Sequence, residues 1–443
     1  MDSKFLFLIR LALKTLFITS VLLTLSSTSY AHTGTHNITL VYSGNLDGEL
    51  EPCGCSEGGN KGGIKRRVEK IDELRKVDPK LYLISAGGLI TSEVPQDKIK
   101  AEYILKGLKH LDYDAIGVQW QDLAYGEKYL ADSNLPFILS NANSKNFFGK
   151  SLINNNHAKI SFFNWLDPKN NPQKNMGQSL ATDTPAELLS KIQTAKQKNQ
   201  TTILSTTLSL KQAQKTFDLQ HVDILIIKAK YEHFGEVQKV NKTLVIQPGS
   251  RGMRLGKMSL EINKSGEIQQ WDHEVIALPP EVKDAERMSN WYNAYNDQVK
   301  ADYEKRVALR KKQASGKTPF AGEMVCQNCH KKEHDKWFET RHAEAFYSLL
   351  DANKAFDPAC ITCHTVGFET EGGFIDPMLT ENLQHVQCEN CHGAAKSHAD
   401  SAGQVKTTNT SWKPEQMCQQ CHVQKHSPDF DFKTYWPKIS HGK

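Results

Sequence analysis

Short apolar runs alternate with amphipathic stretches along residues 36–278. Runs such as ITLVYSG, which begins at Ile38, and LYLISAG, which begins at Leu81, are typical of buried strands. The stretch IKRRVEKIDELRK, from Ile64, carries apolar residues at helical spacing, and KIKAEYILKGLKHL predicts a second helix. The runs YDAIGV, LPFILSN, TTILSTT and VDILIIK are further strand candidates, and residues 244–271 predict a strand, a turn and a hairpin. This alternation predicts a layered α/β domain.

Residues 279–317 form a strongly charged stretch that favours a helix once its opening prolines are passed. Trp291, Tyr292 and Tyr295 cluster near helical spacing, which predicts a long helix that packs on the α/β domain. Its last residues, Ser315-Gly316-Lys317, are the expected hinge to the C-terminal part. The alternative is a solvated spacer, an interpretation that fits the last third of the stretch best.

The C-terminal segment, residues 318–443, carries the pattern C-x-x-C-H four times. In this pattern the two thiols add to a haem and the adjacent His binds its iron. A pair of Cys-rich zinc sites is the alternative, but it does not explain why a His follows every second Cys. We therefore predict four covalently bound c-type haems with the proximal iron ligands His330, His364, His392 and His422. The attaching thiols are expected to be those of Cys326 and Cys329, Cys360 and Cys363, Cys388 and Cys391, and Cys418 and Cys421.

Each motif has only about thirty residues of chain, which is too few for a separate apolar core. We expect a small, mostly α-helical domain in which the haems form the core and pass electrons stepwise. The candidates for the second axial position on the irons are the six further histidines: His334, His342, His385, His398, His426 and His441. A domain in which every iron has two His ligands only transfers electrons, whereas an iron without a second His can bind a small molecule.

Longer runs surround the four motifs: CQNCHKKEHDKWFETRHAEAF, CITCHTVGFETEGGF, QCENCHGAAKSHA and CQQCHVQKHSPDFDFKTYWPKISHG. They resemble the tetrahaem electron-carrier cytochromes of ammonia-oxidising bacteria and their relatives. In that family a His follows the third motif in the context G-x-x-x-x-H, as His398 does here, and another follows the first motif in S/T-x-H-A, as His342 does. The resemblance implies His342 and His398 as distal ligands, then His385, then His441. It also implies an electron carrier with one more open iron, served by periplasmic or membrane redox partners.

The N-terminal half contains a series of stretches in a fixed order: YSGNLDGELEP, GGIKRR, LYLISAGGLI, YDAIGVQWQDLAYG, LPFILSNAN and QPGSRGMRLGKMSLEI. This order resembles the calcineurin-type metallophosphoesterases, in particular the 5′-nucleotidase branch, which includes the sulfur-pathway thiosulfohydrolases. The resemblance implies a four-layer α/β sandwich for this half.

Members of that family bind two metals through Asp, His and Asn side chains, and the metals activate water. The corresponding positions in this sequence are Asn45, Asp47, Gly88, Gln119-Trp120-Gln121, Thr206 and Lys228-Ala229-Lys230-Tyr231. Because most of the ligands are missing, we expect a phosphoesterase fold without hydrolytic chemistry. A working metallohydrolase with a haem appendage is the alternative.

Cys53 and Cys55 follow the first predicted strand and are the two cysteines outside the haem motifs. A C-x-C pair can bind a soft metal, form a reactive disulfide or carry sulfur on a thiolate. The simpler interpretation is a structural disulfide in an oxidising compartment. We put forward a redox or sulfur-handling site that exchanges electrons with the haems.

Residues 1–31 have the features of a secretory signal peptide. A basic start precedes the apolar run from Leu16 to Leu25, and Ser29-Tyr30-Ala31 is a small-x-small cleavage site. Export suits the haems, because c-type haem is attached outside the inner membrane, so we predict a periplasmic protein. An uncleaved N-terminal membrane anchor is the alternative.

The net charge of +5 does not point to a nucleic-acid partner. Four haems would add up to about eight carboxylates and leave the mature surface neutral or acidic. The leading hypothesis is therefore a periplasmic tetrahaem cytochrome that transfers electrons, with the α/β half as a docking or sensing module. The alternative is an oxidoreductase that acts on a small nitrogen or sulfur compound at an open haem or at Cys53 and Cys55. The sequence does not determine the oligomeric state.

Overall fold

The computed structural model describes residues 35–53, 60–142, 144–154, 158–172, 180, 183–231, 233–423 and 426–441, and the expected signal peptide lies outside these ranges. The strands are β1 (His36–Ser43), β2 (Pro52–Cys53), β3 (Lys61–Gly62), β4 (Tyr82–Ser85), β5 (Ala115–Gly117), β6 (Phe137–Ile138), β7 (Ser151–Asn154), β8 (Lys159–Trp165), β9 (Thr201–Thr206), β10 (Ile224–Ile226), β11 (Gln238–Val240), β12 (Thr243–Ile246), β13 (Arg254–Ile262) and β14 (Ile268–Ala277).

The α-helices are α1 (Ile64–Val77), α2 (Asp97–Leu108), α3 (Glu127–Ala131), α4 (Pro185–Gln197), α5 (Leu210–Thr216), α6 (Ser289–Gln313), α7 (Glu323–Gln327), α8 (Lys331–Phe338), α9 (Ala345–Asp351), α10 (Pro358–His364), α11 (Cys388–His392), α12 (Lys396–Asp400), α13 (Pro414–Cys418) and α14 (Phe432–Ile439). Short 3₁₀ helices lie at Lys109–Leu111, Trp120–Leu123, Pro168–Asn170, Leu219–His221, Glu286–Met288, Arg341–Glu344 and Glu381–Leu383.

Two six-stranded sheets form the centre of the N-terminal half. The first has the order β14-β13-β1-β4-β5-β6, in which β1, β4, β5 and β6 are parallel and β13 and β14 are antiparallel. The second has the order β11-β12-β10-β9-β8-β7, with parallel pairing in the middle and antiparallel pairing at both edges. Parallel strands bring their carboxyl ends to one edge, which is where α/β proteins usually place a site.

The two sheets pack face to face through alternating apolar side chains, among them Leu40 and Ile84 from the first sheet and Ile203 and Ile224 from the second. Helices α1, α2 and α6 cover the outer face of the first sheet, and α4 and α5 cover that of the second. The order helix, sheet, sheet, helix confirms the expected four-layer α/β sandwich.

The predicted apolar runs of this half are strands in the structure, and the two predicted helices are α1 and α2. The hydrophobic pattern does not predict β8 or α4. The signal for α4 was present as a capping box, because the side chains of Thr184 and Glu187 each bond the other's backbone N–H. For β8, the run KISFFNW breaks the alternation that marks a half-buried strand, since all but its first residue are buried.

The long helix α6 belongs to both halves of the molecule. Its first turns bury Trp291, Tyr295 and Val299 in the core that covers the first sheet. Its later turns bury Tyr303 and Val307 against the C-terminal segment. The connecting stretch is therefore a shared structural element rather than a solvated spacer over these residues.

The C-terminal segment consists of short helices around a small apolar cluster that includes Phe346, Ile361 and Phe374. In the described part of the chain, no residue after Ala395 is buried, although helices α12, α13 and α14 all lie there. Side-chain packing within the chain therefore does not account for the structure of this region. None of the described helices is both long enough and apolar enough to span a bilayer.

Candidate functional site

The four C-x-x-C-H motifs lie on or next to short helical turns. The second motif closes α10 and the third forms α11, while the first and fourth run through the ends of α7 and α13. In a helical turn, residues three and four apart share a face, so each motif presents its two Cys and its His to one side. The eight motif cysteines are all free thiols, as haem attachment requires.

Three of the motif histidines face a histidine from elsewhere in the segment. The ring centroids are 6.1 Å apart for His330 and His398, 6.1 Å for His342 and His422, and 5.9 Å for His392 and His441. Metal–imidazole bonds are about 2 Å long, so two rings on opposite sides of one iron have their centres about 6 Å apart. The spacing of these three pairs fits a haem iron between the rings.

Hydrogen bonds hold two of the histidines that pair with a motif histidine, His398 and His441. The Nδ1–H group of His398 can donate to the carbonyl oxygen of Val405, 2.8 Å away, and that of His441 to the carbonyl oxygen of Ile439, 2.9 Å away. This tautomer leaves the Nε2 lone pair available to a metal. Of the four distal candidates that the resemblance ranks, His441 comes last, yet its ring pairs with that of His392.

Partial burial favours the neutral form of three of the paired rings, which is the form that binds a metal. Loss of water contact lowers the pKa of His342, and the neighbouring rings of His422 and His364 lower it further. Partial loss of water contact also lowers the pKa of His392 and His422, which are both half-buried.

The second motif differs from the other three. The Nδ1–H group of His364 donates to the carbonyl oxygen of Ala345 at 2.5 Å, so Nε2 is oriented as an iron ligand. Among the described residues, no histidine ring pairs with His364 as the rings pair in the other three motifs. A haem iron bound at His364 would therefore have this one histidine as its protein ligand among the described residues.

The structure places His385 beside helix α9, within electrostatic range of His364 but without the ring pairing seen at the other three motifs. Its Nδ1 atom accepts a hydrogen bond from the backbone N–H of Phe346 at 3.2 Å, and its ring lies edge-on to Tyr347 at 4.6 Å. A neutral ring that accepts at Nδ1 carries its proton on Nε2, which is then a donor. His334 is buried and bonded to Glu323 through Nε2 at 2.5 Å.

The motifs also approach one another in pairs. The thiols of Cys326 and Cys388, from the first and third motifs, lie close enough for each to shift the pKa of the other. The thiols of Cys363 and Cys421, from the second and fourth motifs, do the same. Haems attached at these cysteines would therefore be neighbours, which suits electron transfer between them.

A buried carboxylate that the sequence did not reveal joins two of the motifs. Glu389 lies between the cysteines of the third motif and is almost fully buried. It accepts backbone N–H groups from Ala321 and Gly322, which precede the first motif, and from Ala395. The only sequence signal was that Glu389 is the one charged residue among the variable positions of the four motifs.

At the edge of the first sheet, the positions that correspond to phosphoesterase metal ligands bond to one another. Gln119 Nε2 donates to Asn45 Oδ1 at 2.8 Å, and Asn45 Nδ2 donates to Asp47 Oδ1 at 3.1 Å. Asp47 also accepts from the side chain of Gln121 at 3.2 Å and from the backbone N–H of Arg251 at 3.2 Å. Side-chain amides of Asn and Gln thus form the hydrogen bonds at positions where the family has metal ligands.

Gly88 stands where the family has its metal-bridging Asp. Its φ angle is +71°, and a Cβ atom at this position would lie 2.4 Å from the Asn45 side chain. The backbone N–H groups of Gly88, Leu89 and Gln119 instead donate to the fully buried carboxylate of Asp122. No group of three or more His, Cys, Asp or Glu side chains in the described ranges is arranged to hold a metal ion.

The Cys-x-Cys site lies outside the described residues, apart from the backbone of Cys53, which pairs with Lys61 in the β2–β3 hairpin. The neighbouring Glu51 is described, and its carboxylate bonds Tyr292 of α6 and Lys354 of the C-terminal segment. The backbone that carries this site is therefore tied to the haem-bearing half of the molecule.

Comparison with known proteins supports the assignment of the C-terminal segment. Residues 325–393 match the family model described as cytochrome c554 and c-prime. Cytochrome c-554 of Nitrosomonas europaea is 34% identical over 94 residues, which cover 18% of this chain and 40% of that protein. The chain therefore spans less than half of this relative. The similarity supports a c-type cytochrome with covalently bound haem and a role in electron transfer.

The N-terminal half has the calcineurin-like phosphoesterase fold. A 5′-nucleotidase precursor from Thermus thermophilus superposes with a TM-score of 0.53 at 17% identity, covering 60% of this chain and 59% of that one. The sulfate thiohydrolase SoxB of the same organism gives a TM-score of 0.50 at 12% identity, with 59% and 60% coverage. At these identities the similarity shows the fold alone.

Protein made without haem attachment should keep its α/β half and lose the structure of residues 396–441. These residues have no buried side chain in the described chain, so the haem has to supply their apolar contacts. Limited proteolysis of haem-free and haem-loaded protein tests this, with the α/β half as the internal control. Equal protection of residues 396–441 in both forms would contradict it.

Proposed function

We propose that this protein is an exported c-type cytochrome that transfers electrons through four covalently bound haems. The observation that carries the proposal is the set of three histidine pairs, each joining a motif His to a His outside the motifs at 5.9–6.1 Å. Pairing at this distance does not follow from the attachment motif itself. It supports haem irons with two protein ligands, which do not need to bind a substrate.

The proposed ligand set follows the ring pairs. His330 with His398 would hold the first haem, His392 with His441 the third, and His422 with His342 the fourth. The paired cysteines of each motif would carry the thioether bonds. When bound, each haem supplies a one-electron carrier, and the chain sets its orientation, its axial ligands and its exposure to water.

The second haem would have His364 as its one protein ligand and an open position on its other side. His385, the remaining candidate, would act as a hydrogen-bonding group, because its Nε2 carries the proton. This difference favours a second candidate function, in which the second haem binds and converts a small nitrogen or sulfur compound.

The α/β half would not hydrolyse phosphate esters. Its former metal positions hold a closed hydrogen-bond network of two Gln, an Asn and a single Asp, which lacks the negative charge that two divalent cations require. The retained fold and the interdomain contacts of Glu51 support a role in docking or in redox exchange with the haems. Cys53 and Cys55 remain the candidate catalytic residues of this half.

Export to the periplasm fits this proposal. Residues 1–31 would direct secretion, and c-type haem is attached on the outer side of the inner membrane. The partners would be periplasmic or membrane-bound redox proteins, with no nucleic acid involved.

The dithionite-reduced protein should contain about four c-type haems per chain, and carbon monoxide should shift the Soret band of about one of them. The shift is expected because His364 has no histidine partner in the described chain, whereas the other three motif histidines have one. A pyridine haemochrome assay and spectra before and after carbon monoxide measure both quantities. Fewer haems would overturn the cytochrome proposal, and no shift would remove the second candidate function at the haem.

Each of the single variants His342→Ala, His398→Ala and His441→Ala should convert about one further haem from low spin to high spin. Each should also add about one carbon monoxide site. The cause is the loss of the second axial ring. The matched control is His385→Ala, which should leave the number of low-spin haems unchanged. Electron paramagnetic resonance counts the spin states. A new high-spin haem in His385→Ala would reverse the proposed roles.

The double variant Cys53→Ser, Cys55→Ser tests the alternative site in the α/β half. If these thiols accept electrons from substrate, the variant should slow haem reduction by sulfite, thiosulfate or hydroxylamine at least about tenfold, since a hydroxyl does not replace a thiolate. Stopped-flow absorbance follows the reaction, and reduction by dithionite is the control. An unchanged rate with every compound that reduces the native protein would exclude a redox role for the pair.

A further inference from the structure

A single peptide group at the start of helix α9 binds the rings of both His364 and His385. The carbonyl oxygen of Ala345 accepts the Nδ1–H group of His364 at 2.5 Å. The N–H group of the same peptide, which belongs to Phe346, donates to Nδ1 of His385 at 3.2 Å. The carbonyl and N–H groups of a trans peptide point in opposite directions, so the two rings lie at opposite ends of this group. Two hydrogen bonds and one amide thus join the second motif histidine to His385.

The backbone around both histidines is held by further contacts. Thr365 and Gln384 form an antiparallel β-bridge, which brings their neighbours His364 and His385 close together. The residue after His385 donates its backbone N–H group to the carbonyl oxygen of His342 at 3.1 Å. The position of the His385 ring is therefore set by its backbone as well as by its own hydrogen bond.

His385 has a backbone conformation that is unusual for its residue type. Its φ angle is +71°, in the left-handed region that glycine adopts without strain. A non-glycine residue held in this region costs free energy, and such residues cluster at functional sites. The contact that the structure shows is the bond from Phe346, whose N–H group lies in the first turn of α9, where backbone N–H groups have no acceptor within the helix.

This contact also acts on His364 through the shared peptide. An acceptor on the Phe346 N–H group polarises the peptide and makes the Ala345 carbonyl oxygen a stronger acceptor. A stronger acceptor at Nδ1–H makes the imidazole of His364 more basic, and therefore a better electron donor to a metal at Nε2. Ser348 Oγ donates to the same carbonyl at 2.7 Å, and this contact is left in place in the variants considered below.

The fourth motif lacks this arrangement. There the Nδ1 atom of His422 bonds the hydroxyl of Ser427 at 3.1 Å, and no second imidazole continues the chain of hydrogen bonds. A link from one imidazole to another through a peptide is therefore a feature of the second motif, the one whose histidine has no paired ring among the described residues.

We propose that His385 is a positioning residue for the second haem, which strengthens the bond from His364 to iron through the Ala345–Phe346 peptide. We call this chain of His385, the peptide and His364 the relay. The inference rests on the proposed cytochrome function. It gives His385 a role on the side of the proximal ligand, in place of the distal ligation that the family resemblance implies. Because the second iron would have one protein ligand, the strength of that single bond would set its reduction potential.

The sign of the effect follows from charge. A more basic axial ligand makes the iron more electron-rich, which favours the oxidised form. The relay therefore lowers the reduction potential of the second haem. Its loss should raise this potential and weaken the bond between His364 and the reduced iron, while the other three haems keep their potentials.

The test compares His385→Ala with His385→Asn in the haem-loaded, full-length protein. Ala removes the acceptor. Asn tolerates the left-handed backbone and carries its side-chain oxygen the same number of bonds from Cα as Nδ1 of His. At a fixed ambient potential, the ratio of reduced to oxidised second haem should rise about twofold in His385→Ala and return towards the native value in His385→Asn. A spectroelectrochemical titration measures this ratio.

Resonance Raman spectroscopy of the reduced protein gives a second readout. The iron–histidine stretching band arises from a reduced haem that has a single histidine ligand, so it reports on the bond of His364 and identifies the second haem. This band should move to lower frequency in His385→Ala, because the bond is weaker, and recover in His385→Asn.

The control variant Asp431→Ala separates the relay from the loss of a helix cap. Asp431 caps α14 by accepting the backbone N–H of Thr434 at 2.9 Å. Its replacement should lower the thermal midpoint, as His385→Ala does, without moving the Raman band or the second reduction potential. A lower midpoint in His385→Ala with both other readouts unchanged would make His385 a cap alone and overturn the inference, as would equal shifts in the Ala and Asn variants.

Failure of the proposed function would look different. A haem count below four, or a native protein without the iron–histidine band, would count against four haems or against the open second iron. In the second case, one reduction wave should still rise in His385→Ala and recover in His385→Asn if the relay exists, and its constancy would overturn the relay as well.

Discussion

The structure of the C-terminal segment depends on atoms that its own chain does not supply. Beyond Ala395 the described chain buries no side chain, yet it forms three helices and carries the fourth motif. Short helices of this kind are not stable alone in water, because the cost of ordering the backbone exceeds the few contacts they make. Covalently attached macrocycles would provide the missing apolar surface. The same requirement explains why histidines separated by many residues stand opposite one another at a common spacing.

The α/β half meets a different constraint. It has a full apolar core between and around its sheets, so it does not need a metal to fold. At the sheet edge, hydrogen bonds occupy several of the former metal-ligand positions, from the Asn45–Gln119 contact to the backbone N–H groups that donate to Asp122. Buried polar groups that have lost a cation must find other partners or destabilise the fold. This hydrogen-bond network therefore stabilises the sheet edge without a cation.

The long helix α6 connects the α/β half to the haem-bearing segment and packs against both. Its buried aromatic residues belong first to the α/β core and then to the small cluster of the haem segment. One continuous helix thus contributes buried side chains to the cores of both halves. The polar contacts around Lys354 and Asp357 add a second link, next to the motif whose His364 lacks a paired ring among the described residues. The polar contacts between the two halves and the second haem motif thus lie at the same place in the structure.

The sequence by itself determined the attachment chemistry, the layered α/β fold and the loss of the phosphoesterase ligands, because each is a local property of residue type, spacing or hydrophobic period. It did not determine which histidines pair. His398, His342 and His441 reach motifs that lie 68, 80 and 49 residues away along the chain (398 − 330, 422 − 342 and 441 − 392), and only the tertiary structure brings those rings together. His385 shows the reason most clearly, since it lies just before the third motif and is still oriented by a backbone N–H of α9. Axial ligation depends on the direction of a ring nitrogen in space, and that direction is set by contacts distant in sequence.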